Sequence, residues 1–103
     1  MLELKTYASR PVKAVQVIDV NDQGIELLGL FDDAEDTIRI QKYDKKRGDE
    51  FFPAVRLKVL TGRGMAKIWR PCSDGDWIIE EHDGTKRVFR DRSFRNTFQG
   101  PEA

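Results

Sequence analysis

The chain reads as a single α+β domain, an antiparallel β-meander of about four to six strands with one or two short helices. Three observations predict it. Apolar residues alternate with polar ones over Thr37–Tyr43 and Val55–Val59. Glycine-bearing turns separate the stretches of the second half. Apolar residues at helical spacing occur from Ile25 to Phe31 and at Phe94 and Phe98.

In chain order, Val12–Val20 is rich in β-branched residues, and Pro11 is tolerated only at the start of such a strand. Asn21-Asp22-Gln23-Gly24 breaks it. Ile25, Leu27, Leu28, Leu30 and Phe31 then fit a helical face, with Asn21 or Asp22 as its cap. Gly24 and Gly29 weaken that helix, so a second strand after the turn stays open as the alternative. Thr37–Tyr43 suits a strand with one wet face, and residues 42–53 read as a flexible polar loop. Val55, Leu57 and Val59 form the next strand, Thr61-Gly62-Arg63-Gly64 a turn, and Met65–Arg70 the returning strand, which Pro71 ends. Ser73-Asp74-Gly75 turns into a strand over Asp76–Glu81. Asp83-Gly84 is a hairpin signal, and Thr85–Arg90 runs back. Asp91 is positioned to cap a last helix, where Phe94 and Phe98 share a face and Gly100-Pro101 stops it. Trp77 and Ile79 are expected to meet Phe94 and Phe98, together with Leu57 and Val59, in one core.

At 103 residues the chain has room for one domain, which folding should relieve of about 65% of its extended surface. Hydrophobic residues make up 39% and charged residues 35%, and ten aromatics argue against wholesale disorder. No apolar run is long enough for a transmembrane helix, and Glu3 and Lys5 interrupt any signal-peptide pattern. The single cysteine, Cys72, excludes an internal disulfide and suits a reducing compartment.

Eighteen basic and eighteen acidic side chains balance, which excludes wholesale mimicry of DNA by an acidic surface. The balance hides a segregation. Asp19, Asp22, Glu26, Asp32, Asp33, Glu35 and Asp36 form a block without Lys or Arg. Lys86, Arg87, Arg90, Arg92 and Arg95 form a basic segment with Asp91 its only acid. Lys42 and Lys45-Lys46-Arg47 make a second basic run.

Chemistry-bearing constellations are thin. His82, the only histidine, sits in a predicted turn, and Cys72 follows a proline at a strand end. A metal site needs three or four well-placed ligands, and one cysteine with one histidine cannot build a zinc knuckle. Glu80 and Glu81 point to opposite faces of a strand and make a poor acid–base pair. Gly62-Arg63-Gly64 lacks the length and the Lys-Ser/Thr of a phosphate loop. The expectation is a non-enzyme without cofactor or metal.

One set of motifs carries a resemblance. Tyr7, Arg10-Pro11-Val12 and Ala14-Val15-Gln16 open the chain, and Leu57, Val59 and Thr61-Gly62 follow. Gly75-Asp76-Trp77-Ile78-Ile79, Asp83-Gly84 and Phe94-Arg95-Asn96-Thr97-Phe98 close it. The set resembles short proteins of unknown function encoded by tailed bacteriophages and prophages, with Phe98 where those end in Tyr and residues 32–54 unmatched. The family has no established activity, so the resemblance implies a phage origin and a fold, and with them the host bacterial cytoplasm.

Two binding readings follow, with a virion or assembly component as a third. The first is an accessory protein that docks on a host or phage protein, an inhibitor of a host or defence factor being one form. An inhibitor needs only a complementary surface with a few anchors. The second is a nucleic-acid binder in which the basic segments track phosphates while Phe89 or Tyr43 stacks a base. The protein partner ranks first, because an acid block would repel nucleic acid unless it lay on the far face. The candidate partner-binding residues are Asp32, Asp33, Asp36, Lys45, Lys46, Arg47, Arg87, Arg90, Arg92 and Arg95.

Overall fold

A computed structural model describes residues 2–7 and 12–98. Among them seven strands pair antiparallel in two sheets. The four-stranded sheet has the order β1 (Lys5–Tyr7), β2 (Val12–Gln16), β6 (Trp77–Glu81), β7 (Lys86–Phe89). The three-stranded sheet runs β3 (Ile38–Arg47), β4 (Glu50–Thr61), β5 (Ile68–Cys72). Three helices complete the fold: α1 (Val20–Gln23), α2 (Ala34–Thr37) and α3 (Asp91–Phe98), with 3-10 turns at Ile25–Gly29 and Gly64–Ala66. The architecture is an α+β antiparallel domain.

Strand β2 stops at Gln16 rather than continuing to Val20. Asp19 accepts the amides of Asn21 and Asp22 on its carboxylate, and the chain turns into α1. The cap is thus Asp19, not Asn21 or Asp22. Residues 25–29 are helical in the 3-10 form, which settles the strand alternative. Beyond the 3-10 turn at Gly64–Ala66, the returning strand is Ile68–Cys72, not Met65–Arg70. Pro71 lies inside it, opposite Lys58, because β5 is a sheet edge and needs no donor on its outer side. Gly62 at φ +92° is required: a Cβ there would sit 2.7 Å from the Ala66 carbonyl oxygen. The expected stop at Gly100-Pro101 lies outside the described residues.

Residues 42–53, expected as a loop, are instead the outer half of a long hairpin. Arg47 pairs with Glu50, and Gly48 at φ +61° occupies the first position of a two-residue turn. Gly followed by a polar residue is what such a turn demands.

The four-stranded sheet is buried on both faces, so the core is double. On one face Val12, Ala14, Trp77 and Ile79 meet Phe94 and Phe98 of α3. The Trp77 and Phe94 rings stack with centroids 3.8 Å apart. On the other face Val15 and Ile78 meet Leu57 and Val59 of the three-stranded sheet, with Val20, Leu27, Phe31 and Ala34 of the helical segment. Leu57 and Val59 therefore do not share a core with Trp77, as one cluster would have required. Neighbouring residues of a strand point to opposite faces, and Ile78 stands between Trp77 and Ile79.

Asp91 is the first residue of α3 rather than its cap: the Phe94 amide donates to the Arg90 carbonyl. The Asp91 carboxylate instead accepts from Trp77 Nε1 at 2.9 Å, Gln16 Nε2 at 3.2 Å and Arg95 Nε at 3.0 Å. The Trp77 indole and then the Arg95 guanidinium hold its carboxyl below the usual carboxylate range.

Candidate functional site

The register of β3 and β4 decides which side chains share a face. Ile38 opposite Val59 and Ile40 opposite Leu57 point into the core. The intervening pairs, Arg39–Lys58, Gln41–Arg56, Tyr43–Ala54, Lys45–Phe52 and Arg47–Glu50, point the other way. Arg39, Arg56 and Lys58, Lys45 and Arg47, and Phe52 are all exposed, and no described element covers this outer face. Trp69, opposite Leu60 on β5, extends it.

Five cations and one acid, Glu50, therefore line the outer face of β3 and β4. Two guanidiniums are ordered by aromatic rings. The Arg39 Cζ lies 4.2 Å from the Trp69 ring centre, and the Arg56 Cζ 4.5 Å from that of Tyr43. Phe52 is 44% exposed, and among the described residues no cation lies over its ring. Same-face residues recur about every 7 Å along a strand, so Arg39, Lys45 and Arg47 form a row about 27 Å long.

The acid block lies on the other side. Val20, Leu27, Phe31 and Ala34, the apolar residues within the block, pack on the inner face of the three-stranded sheet. The apolar side of the block thus covers the inner face, while α1 sits at the open edge of β4, where Asn21 Oδ1 accepts the Val55 amide.

The structure scatters the remaining candidate residues. Asp33 is bonded to the Lys86 ammonium, whose side chain is 0% exposed. Glu80 completes the pairing at 3.2 Å, and the ammonium lies 5.0 Å from the Phe31 ring centre. Lys86 therefore does not belong to a basic surface, and Asp33 serves an internal partner. Asp32 and Asp36 are exposed on the acid side. Arg90, Arg92 and Arg95 are exposed on or beside α3, across the four-stranded sheet from the basic face. Arg95 pairs with Asp91, and Arg87 lies 3.4 Å from Glu81. Lys45 and Arg47 stand on the outer face, while Lys46 points to the other face of the hairpin, its amine 5.9 Å from the Phe51 ring centre. Phe89 is engaged edge-on with Phe98. Arg39, Arg56, Lys58, Phe52 and Trp69 were not foreseen as site residues. The alternation of Arg56 and Lys58 between Val55, Leu57 and Val59 is the signal that places both cations on one wet face.

The open edge of β4 is poorly suited to pairing with another strand. Beyond Leu57 it has no neighbour on the β5 side. There Pro53 offers no N–H, and the Val55 N–H already donates to Asn21 Oδ1 at 2.8 Å. Cys72 is buried, and that burial pushes its thiol up to about 12, with the carboxylates of Asp76 and Asp74 adding to the effect. A thiol so held is a poor nucleophile at neutral pH, and His82 is exposed in the turn between β6 and β7.

No family model matches the chain, and no solved structure matches it. A 60-residue stretch is 37% identical to part of a leucine–tRNA ligase from Pyrobaculum arsenaticum. That stretch is 56% of this chain and 6% of the ligase, so the chain corresponds to a small fraction of that protein's length. No described helix is long and apolar enough to cross a membrane.

Proposed function

We propose that the protein is a non-enzymatic accessory protein that binds nucleic acid across the outer face of the three-stranded sheet. The observation that carries this reading is five cations on an uncovered sheet face, with the apolar side of the acidic segment packed on the opposite face. The main objection to nucleic acid was repulsion by those acids, and the packing of residues 27–34 on the far face of the sheet weakens it. The phage resemblance supports a setting in the host bacterial cytoplasm.

A protein partner is the second reading, and one observation favours it. Ile25 and Leu28 are exposed within the acid block, where apolar and acidic side chains together suit a basic protein surface. Such a partner would occupy the opposite side of the molecule.

Salt dependence tests the first reading. If about four phosphates are neutralised on a single strand, log K should fall with log salt at a slope of about −3. Reversing Lys45, Arg47 and Arg56 to Glu should remove most of that slope. Reversing Arg90 and Arg92, across the four-stranded sheet, should leave it. Absence of binding at low salt, or the opposite pattern among the variants, would overturn the assignment.

A further inference from the structure

Resting on that reading, we propose that the bound nucleic acid is single-stranded and that Phe52 is the platform on which an unpaired base stacks. Phe52 projects from the outer face of β4, directly opposite Lys45, with Tyr43 and Arg47 at the diagonal positions of β3. It is 44% exposed, in the half of the hairpin that reaches beyond the core, so the fold gains little from its burial. An exposed aromatic ring beside Lys45 and Arg47 matches one ligand chemistry closely: a planar base attached to a phosphate.

A duplex offers the phosphates but hides the base faces in its own stack, so it would meet the cations and leave Phe52 idle. A single strand engages both. Tyr43 and Trp69 are not equivalent platforms, because guanidiniums already lie over their rings. Those contacts hold Arg56 and Arg39 above the sheet, which lowers the ordering cost when they meet phosphate. Glu50, opposite Arg47 at the tip of the hairpin, offsets one cation there and favours a path that runs inward toward Arg56, Lys58 and Arg39. From Phe52 to Lys58 is about 20 Å along β4, room for about four nucleotides.

The test is fluorescence anisotropy with a labelled oligodeoxythymidine of about ten nucleotides, its RNA counterpart, and a duplex of equal length. The single strands are expected to bind at least about tenfold more tightly than the duplex. Phe52→Ala should weaken single-strand binding about tenfold. It should leave the duplex affinity, the salt slope and the melting temperature unchanged, while Phe52→Tyr restores single-strand affinity. Equal affinity for single strand and duplex, or a silent Phe52→Ala in a protein that binds both, would overturn this inference and leave the basic-face reading standing. Binding of neither nucleic acid would overturn both.

Discussion

Trp77→Ala is expected to cost about 3–5 kcal/mol, a large part of the stability of a domain this size. The indole does three things in one place. It stacks on Phe94 at 3.8 Å, helps fill the cluster under α3, and donates to the Asp91 carboxylate at the first turn of that helix. Truncation leaves a cavity and removes one of the donors that hold the Asp91 carboxylate, so α3 should detach rather than settle. Thermal or urea unfolding followed by far-UV circular dichroism reads the change, with Phe94→Leu as a milder comparison. An unchanged midpoint for Trp77→Ala would remove α3 from the account of stability.

The second large effect concerns the buried ammonium of Lys86. Its side chain is wholly enclosed and neutralised by Asp33 and Glu80, and it ties the helical segment to β7. Replacing both carboxylates, by Asp33→Ser with Glu80→Gln, strands a buried cation and should destabilise by about 3–5 kcal/mol. Lys86→Met keeps the length of the side chain and removes the charge. Its partners are in part exposed and can hydrate, so its effect should stay within about 1 kcal/mol. Urea midpoints of the two variants check the asymmetry. Equal loss in both would mean that the ion pair is itself net stabilising, and little loss in either that the lysine acts through packing alone.

These residues also show where the sequence was legible. The Trp77–Phe89 hairpin was readable because Gly75 and Asp83-Gly84 punctuate it and its apolar residues have a core to face. The outer half of the β3–β4 hairpin was not. Both of its faces meet water, so its strands mix charged residues with a few aromatic rings and carry no apolar period. The Gly48-Asp49 turn was the surviving signal. The run Trp77-Ile78-Ile79 contained a hint of two cores, since three apolar residues in succession mark a strand covered on both sides.

The basic face was legible only in fragments. Lys45 and Arg47 stood out as part of a run, yet their union with Arg39, Arg56 and Lys58 depends on the pairing register of β3 with β4. In a hairpin the turn sets the register, and reading residues 42–53 as a loop passed over that turn at Gly48-Asp49. Lys86 failed for the complementary reason, because a buried lysine with carboxylate partners has the same local sequence character as a solvated one.

The claim that the outer sheet face is the working surface is tested most directly by amide NMR spectra recorded during titration with a short single-stranded oligonucleotide. Shifts are expected to concentrate at Arg39, Lys45, Arg47, Phe52, Arg56 and Lys58, while Asp32, Asp36, Arg92 and Arg95 stay still. Shifts confined to the segment around α3 or to the acid block, or none at all, would contradict it.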